Sequence, residues 1–264
     1  MDKEPGAGTI SLERAGPIAS LVLDHPARRN AMTQAMWESL PGLCRAIEQD
    51  ADCLVVILRG AGGHFCAGAD ISEFDRLFGT ADHASRYGAM VQGSLDALRT
   101  LDRPVIAQIE GHCFGGGVSL LTQCDLVFAA NNAAFGITPS KLGLIYGQAD
   151  TSGLVSRVGL ASARDLLFSA RSFDAIEAHR LGLVDQLHEP ALLAAQVEKY
   201  AVNICSKSQF SIRTQKKLLN DLRPVAENPE RFVRAFQDAA LGVDCVEGRS
   251  AFQQKREPRF PYRG

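Results

Sequence analysis

Two glycine-rich segments have the residue types needed to present main-chain N–H groups to a ligand. The first is FCAGADI, residues 65–71, and the second is GHCFGGG, residues 111–117. Glycines at the start of a helix let the backbone approach a ligand closely, and the first N–H groups of a helix have no partner within it. Two such turns, each after a strand and each before a helix, can aim two donors at one carbonyl oxygen. That arrangement is an oxyanion hole, which stabilises negative charge developing on the oxygen.

The elements that would position these segments alternate between strand and helix in the first half of the chain. Alternating runs at residues 9–13 and 18–23 predict a hairpin. The continuous apolar run at residues 53–58 predicts a strand buried on both faces, and residues 104–109 predict the next strand. Each strand precedes one glycine-rich segment. Helices are predicted between and after these strands, at residues 85–101 and 118–124. This alternation favours parallel strands joined by helical crossovers.

The second half of the chain is predicted to be nearly all helical. Asp174 is a typical cap for a helix that ends near Arg180, and Gly182 supplies the left-handed stop. Three further helices are predicted at residues 191–206, 209–222 and 229–241. We therefore predict an α/β fold with a core at residues 1–200 and a C-terminal helical region at residues 201–264, which form one functional unit.

Composition excludes several classes of function. The 264 residues are 46% hydrophobic and 22% charged, with a formal net charge of -2, which argues against generic nucleic-acid binding. The longest apolar run, residues 53–58, is too short to span a membrane. The N-terminus lacks the apolar core of a signal peptide, so we expect a cytoplasmic protein. Seven cysteines without a CxxC pair predict neither disulfides nor a structural metal.

Five segments together resemble successive signatures of the enoyl-CoA hydratase/isomerase (crotonase) family. They are FCAGADI, PVIAQIEGHCFGGG, CDLVFAANNAAFG, EAHRLGLV and EGRSAFQQKREPRF. They occur in the order typical of that family and extend over nearly the whole chain. The resemblance implies a ClpP-like spiral of strand–strand–helix units, followed by helices that mediate homotrimers, often paired into dimers of trimers.

The resemblance also implies a CoA thioester as the substrate, with coenzyme A as part of that substrate and no separate cofactor or metal. The thioester oxygen would accept hydrogen bonds from the N–H groups of Ala69 and Gly116. Both positions match the family's motifs residue by residue. Such donors stabilise the enolate-like charge of an activated thioester.

Contacts with the CoA portion are implied by the same resemblance. Main chain at Ala67, Ala69, Asp70 and Ile71 would line the adenine and pantetheine path. A basic residue near the phosphates corresponds to Arg28 or Arg29, for which a solvated turn is the alternative. The C-terminal residues that reach a neighbouring subunit's CoA in trimers correspond to Phe252 and Lys255. Asp70 is also interpreted as the cap of the helical turn after GADI.

The chain departs from the family where the acid–base glutamates are expected. Ser119 stands two residues after the GGG turn, and Pro139 occupies the second glutamate position. Hydration of a double bond needs a base for the water and an acid for the α-carbon. Serine without a neighbouring base is poor at both tasks, and proline can perform neither. The sequence therefore argues against the two-glutamate hydratase mechanism.

Tyr146 and Asp150 are the candidates for replacing those groups. The stretch from Thr138 to Tyr146 is similar to that of methylmalonyl-CoA decarboxylase-like members, in which the tyrosine reaches the acyl end of the substrate. The alternative for Tyr146 is a pocket-lining aromatic whose hydroxyl bonds to backbone. Asp150 is interpreted as the N-cap of a helix that begins at Thr151, and it acts as a base only if its side chain enters the pocket.

Three functional hypotheses remain open from the sequence. The first is an acyl-CoA-processing enzyme that stabilises a thioester enolate. The second is a decarboxylase of a malonyl- or methylmalonyl-type thioester, with Tyr146 orienting the carboxylate. The third is an acyl-CoA-binding protein that kept the oxyanion hole and lost the acids. Ser119 and Pro139 would line the substrate pocket in each case.

Overall fold

The structure, a computed structural model, describes residues 8–223 and 228–262. Strands in the described residues form two sheets. The six-stranded sheet has the spatial order β1-β2-β3-β4-β6-β9, whose members are Thr9–Ala15, Ile18–Asp24, Val55–Gly60, Val105–Ile109, Leu126–Ala130 and Gln186–His188. The three-stranded sheet has the order β5-β7-β8, with members His112–Phe114, Ala134–Gly136 and Ser172–Asp174.

The strand pairing confirms the expected alternation. The hairpin of β1 and β2 is antiparallel, and every other pair in the large sheet is parallel. Parallel strands cannot be joined by a tight turn, so helices make the crossovers. The three-residue strands β5, β8 and β9 were missing from the prediction, because segments this short carry little periodicity.

The helices pack on both sides of the large sheet and form the C-terminal region. In chain order, α1 to α10 are Gln34–Gln49, Phe74–Leu77, Ala81–Thr100, Gly116–Leu121, Gln148–Ser169, Ala175–Arg180, Pro190–Cys205, Gln209–Asp221, Pro229–Leu241 and Val243–Gln253. The helix predicted from residue 85 begins earlier, at Ala81, because the Thr80 hydroxyl accepts a hydrogen bond from His83 N. No helix in the described parts has both the length and the apolar character needed to cross a membrane.

The core consists of two apolar layers on opposite faces of the large sheet. The larger layer lies between the sheet and helices α1, α3, α4 and α5, and includes Trp37, Phe65 and Phe135, all fully buried. The smaller layer lies under α7, where Leu193 and Val197 pack against the sheet. Strand β3 is buried on both faces at residues 55–58, as its apolar run predicted, and β4 is buried along its whole length. Their carboxyl ends therefore lie fixed beneath the two glycine-rich segments.

Pro41 lies inside α1, where it removes one helical hydrogen bond. The carbonyl of Trp37, four residues earlier, would normally accept from the N–H at position 41, which proline lacks. The Ser94 hydroxyl of α3 donates instead, at 2.6 Å from Trp37 O, and also lies 2.9 Å from Met90 O. This buried contact ties α1 to α3 at the level of Trp37.

Replacing Ser94 with alanine is expected to lower the free energy of unfolding by about 1–3 kcal/mol, because the buried Trp37 carbonyl loses its donor. Combining it with Pro41→Ala restores an N–H for that carbonyl, so the cost of Ser94→Ala should shrink in that background. Denaturant unfolding of the four proteins of this cycle measures the difference. Equal costs in both backgrounds would mean that Ser94 acts through another contact.

Candidate active site

A pocket of about 740 Å³ opens beside the two glycine-rich segments. Its walls come from α1, α3, the turn at residues 139–147, the start of α5, and α9. A larger open groove, of about 920 Å³, lies elsewhere, between α8 and the ends of the central strands. That groove touches neither glycine-rich segment, so the smaller pocket is the candidate active site.

The two glycine-rich segments are in direct contact at the pocket wall. Phe114 N donates to Cys66 O at 2.9 Å, which joins the segments by a parallel bridge. Gly68 and Gly115 have φ values of 114° and 46°, which only glycine adopts without strain. A Cβ placed on Gly116 would lie 3.5 Å from Ala69 N. The main chains at Ala69 and Gly116 are therefore neighbours across the contact.

The N–H groups of Ala69 and Gly116 are unpaired, whereas the N–H groups beside them are used. Asp70 N donates to Met32 O and Gly115 N donates to Gly136 O, both at 2.9 Å. Within the described ranges, no acceptor takes a hydrogen bond from Ala69 N or Gly116 N. Both residues line the pocket. Two free donors on adjoining loops can therefore serve one acceptor on a ligand.

Tyr146 supports one of these donors through the peptide that carries it. Its hydroxyl donates to Gly115 O at 2.7 Å, and that carbonyl belongs to the same peptide unit as Gly116 N–H. Ser119 N also donates to Gly115 O, at 3.0 Å. Burial raises the pKa of Tyr146 well above its ordinary value, so the phenol keeps its proton. Of the two interpretations of Tyr146, the pocket-lining side chain bonded to backbone matches the structure.

Asp150 lies inside the pocket, and its interpretation as an N-cap was wrong. Helix α5 begins at Gln148 with Gly147 as the N-cap, because Gln92 of α3 accepts a hydrogen bond from Ala149 N at 3.0 Å. Asp150 is thus the third helical residue, and its carboxylate accepts from Gly147 N at 3.0 Å. Only 7% of Asp150 is exposed.

The environment of Asp150 favours its protonated form more than water does. Burial raises the pKa of Asp150, and hydrogen bonds from the Ser119 hydroxyl and from Gly147 N oppose the rise. Ser119 lies one helical turn after Gly116 and is itself buried. A carboxyl group that can gain or lose a proton therefore adjoins the two free N–H groups. The other acidic side chains lining the pocket, Asp96 and Glu230, are paired with arginines.

Four of the remaining predicted pocket residues line the pocket, whereas Asp70 caps a helical turn beside it. Ala67, Ile71, Ser119 and Pro139 line the pocket. Pro139 begins a 3-10 turn, where it shapes the wall but can carry no proton. Asp70 caps the turn at Ile71–Glu73 by accepting from Ser72 N at 3.0 Å, which confirms its interpretation as a cap.

The predicted contacts with the CoA phosphates and with a neighbouring subunit lie outside the pocket. Arg28 and Arg29 are exposed, and Arg29 Nη1 lies 3.1 Å from His112 Nε2 at the entry to the second glycine-rich segment. Phe252 is 58% exposed and Lys255 is also exposed, both near the C-terminal end of the described chain. Their roles in binding CoA stay predictions.

Several pocket residues were not identified from the sequence. Trp37, Tyr87 and Gln92 project from α1 and α3, and Phe236 comes from α9. The helical periodicity around Met36 and Leu40 indicates that this face of α1 is buried. It does not distinguish a core contact from a pocket wall, because both are apolar.

Comparisons with known proteins identify the family to which the chain is similar. A family model described as enoyl-CoA hydratase/isomerase matches residues 13–263. A crotonyl-CoA hydratase from Syntrophomonas wolfei is 33% identical over 257 residues, with 95% of this chain and 97% of that protein covered. A solved structure of an enoyl-CoA hydratase/isomerase family protein from Hyphomonas neptunium is 40% identical, with a TM-score of 0.79 and coverage of 96% and 98%.

A solved methylmalonyl-CoA decarboxylase is also similar in structure. Its TM-score is 0.80, with 97% of this chain and 99% of that chain covered, at 22% identity. At that identity the likeness shows the shared fold alone.

Proposed function

The chain belongs to the enoyl-CoA hydratase/isomerase family, and we propose that it binds an acyl-CoA thioester and stabilises its enolate with the N–H groups of Ala69 and Gly116. The observation that carries the proposal is the pair of unpaired N–H groups on contacting loops at the pocket wall. A thioester oxygen placed between them would accept both. These donors are fixed by the fold before the reaction begins, so their orientation costs nothing when charge develops.

Proton transfer in this proposal belongs to Asp150 instead of a pair of glutamates. Ser119 and Pro139 occupy the two glutamate positions. Within the described ranges, Asp150 is the acidic residue of the pocket that is buried and forms no ion pair. Its raised pKa makes the ionised carboxylate a stronger base than an ordinary aspartate. One such group can take a proton from one carbon of the acyl chain and return it to another.

A single proton-transferring group suits migration of a double bond better than hydration. In a 3-enoyl thioester, the C2–H bond breaks as its proton moves to Asp150, and the electron pair enters a dienolate held by the two N–H groups. The C3–C4 double bond becomes a single bond, a C2–C3 double bond forms, and Asp150 returns the proton to C4. Hydration would need a second group to activate water. Neither Ser119 nor Pro139, which stand at the family's two glutamate positions, can supply it.

The deciding experiment measures enolisation directly. Purified protein is incubated in deuterium oxide with hexanoyl-CoA, and incorporation of deuterium at C2 is followed by mass spectrometry. Conversion of 3-hexenoyl-CoA to 2-hexenoyl-CoA is assayed beside it. We expect exchange well above the rate without protein. Tight binding of these thioesters with neither exchange nor isomerisation would contradict the proposal and favour the non-catalytic binder.

Decarboxylation is less well supported by the contacts of Tyr146. The decarboxylase hypothesis needs the Tyr146 hydroxyl to orient a substrate carboxylate, but this hydroxyl already donates to Gly115 O. The adjacent Asp150 carboxyl would repel a substrate carboxylate whenever both are ionised.

Replacing Tyr146 with phenylalanine is expected to lower kcat for isomerisation about tenfold, because the peptide bearing Gly116 N–H loses a neutral hydrogen bond that orients it. The dissociation constant for hexanoyl-CoA should change little, since most of the ligand contacts remain. Tyr200→Phe is the matched control, because Tyr200 packs against Phe128 outside the pocket. A loss of binding with kcat unchanged would assign Tyr146 to substrate contact instead.

We also propose that the chain forms homotrimers, as the family resemblance implies. Apolar side chains stand exposed on α8 and at its C-cap. Phe210 and Leu219 of the helix are 81% and 62% exposed, and the cap residue Leu222 is 80% exposed. Burying such side chains against another copy would stabilise an assembly through the hydrophobic effect. Sedimentation equilibrium measures the mass, and a monomer at micromolar concentration would contradict the proposal.

A further inference from the structure

Trp37 carries a buried hydrogen-bond donor that the protein leaves unpaired. The side chain is 1% exposed, and its Nε1–H has no acceptor in the parts of the chain that the structure describes. Buried polar groups in native proteins are nearly always hydrogen-bonded, so this exception requires an explanation. Tryptophan is a costly choice here if its only role is packing, since a phenylalanine would fill apolar space without an N–H to satisfy.

The free N–H lies close to the proposed thioester site. Trp37 lines the pocket, and a Cβ built on Gly116 would lie 3.3 Å from its Cζ2 atom. Cζ2 is two bonds from Nε1. The same Cβ would lie 3.5 Å from Ala69 N. The indole edge that bears the donor is therefore beside the two N–H groups assigned to the thioester oxygen.

The Tyr87 hydroxyl is a second polar group at this place. Tyr87 lines the pocket and is 7% exposed. Burial raises its pKa, and the indole N–H of Trp37 opposes that rise, so the two groups lie within electrostatic reach of each other. Their geometry does not make a hydrogen bond that satisfies the indole. A ligand acceptor atom within reach of both donors would receive a hydrogen bond from each.

The surroundings select a neutral acceptor. The Phe78 and Tyr87 ring centroids lie 5.5 Å apart, and the rings of Phe74 and Phe236 pack against Phe78. All four side chains line the pocket. The charges of Glu73 and Asp150 also raise the pKa of Tyr87, so negative charge is disfavoured here. A carboxylate on the ligand would therefore be repelled, whereas a carbonyl or ether oxygen on a carbon chain would be accommodated.

We propose that the acyl group of the substrate carries a neutral hydrogen-bond-accepting oxygen beyond C3, as in an oxoacyl or alkoxyacyl thioester, and that Trp37 Nε1–H and the Tyr87 hydroxyl bind it. This inference rests on the proposed function, because it takes an acyl-CoA as the ligand. A site that hydrogen-bonds a substrate oxygen discriminates against the analogue lacking it, since its donors are then left buried and unpaired.

Affinity for matched thioesters tests the inference. Hexanoyl-CoA, 4-oxohexanoyl-CoA and 5-oxohexanoyl-CoA have the same chain length and differ by one carbonyl oxygen. At least one oxo compound is expected to bind about tenfold more tightly than hexanoyl-CoA in calorimetric titration. Trp37→Phe should remove that preference, so that the oxo compounds and hexanoyl-CoA bind to this variant with similar affinities. Tyr87→Phe, which deletes only a hydroxyl, should reduce the preference.

Nuclear magnetic resonance distinguishes a hydrogen bond from Trp37 to the ligand from a purely structural role of this side chain. Trp37 is the single tryptophan of the sequence, so protein labelled with nitrogen-15 shows one indole N–H signal. The preferred oxo compound should shift that proton downfield, as expected when the N–H donates to a carbonyl. Hexanoyl-CoA should leave it near its position in the free protein.

The outcomes separate this inference from the proposed function. If all three thioesters bind equally and none shifts the indole signal, the role of Trp37 is overturned and the proposed function stands. A signal that shifts equally with all three also overturns it, since a water molecule displaced by any acyl chain would give that result. If none of the three binds, the proposed function fails and this inference fails with it.

Discussion

Replacing Gly116 with alanine is expected to lower kcat/KM for acyl-CoA turnover by about 10²–10³-fold, as much as removal of one oxyanion-hole donor does, because the added methyl group would keep the thioester oxygen away from that donor. The new methyl group would lie 3.5 Å from Ala69 N and 3.4 Å from the carbonyl carbon of Gly68. It would therefore occupy the space in which the thioester oxygen must sit. Deuterium exchange at C2 of hexanoyl-CoA should fall with turnover, since both need the enolate.

This substitution is a clean test because the backbone at residue 116 can accept it. Gly116 is not among the glycines with positive φ, and the nearest atoms to the new Cβ need shift by only a few tenths of an ångström. Alanine is also favoured over glycine at a helical position. The folded state should therefore persist, and unfolding measurements verify that it does.

Two other glycines serve as controls for Gly116→Ala. Gly42→Ala adds the same methyl group to α1, where the nearest atom is an Arg45 nitrogen at 3.8 Å, and activity should not change. At Gly117 the methyl group would meet Cys66 O at 2.6 Å, so that variant should lose stability instead. Full turnover by a folded Gly116→Ala enzyme would show that the thioester oxygen does not lie between these two loops.

The parts of the site that sequence reasoning predicted are those determined by local chemistry. Gly68 and Gly115 require positive φ in short turns, and glycine is the residue that adopts it. Asp174 caps a helix through a hydrogen bond that reaches only three residues along the chain. Such features depend on a few adjacent residues, so the printed sequence contains the information needed to recognise them.

The parts that were missed depend on contacts between distant segments. The start of α5 is set by Gln92, which accepts from Ala149 N across 57 residues of sequence. A pattern that considers only neighbouring residues placed Asp150 at the N-cap, whereas this contact moves the start of the helix and turns the carboxyl group into the pocket. The indole N–H of Trp37 is a similar case, since burial was predictable and the absence of an acceptor was not.

Replacing Asp150 with asparagine is expected to lower kcat for isomerisation by about 10²–10⁴-fold, the range attributed to a general acid or base. The amide keeps nearly the same shape, and its oxygen can still accept the hydrogen bond from Gly147 N that begins α5. The dissociation constant for hexanoyl-CoA should therefore change little. Asp96→Asn is the matched control, because Asp96 also lines the pocket but is paired with Arg99, and its effect on kcat should be small.

The pH dependence of stability gives a second, independent measure of the same group. Burial raises the pKa of Asp150 in the folded protein above that in the unfolded chain, so the folded state binds the proton more tightly. The stability contributed by this carboxyl is therefore complete below the unfolded pKa and is lost as pH rises through the folded pKa. An asparagine side chain cannot ionise, so the Asp150→Asn protein should gain stability relative to the unsubstituted protein over that interval. Parallel stability curves for the two proteins would mean that the carboxyl is solvated like an ordinary aspartate, and the argument for Asp150 as a strengthened base would then lose its physical ground.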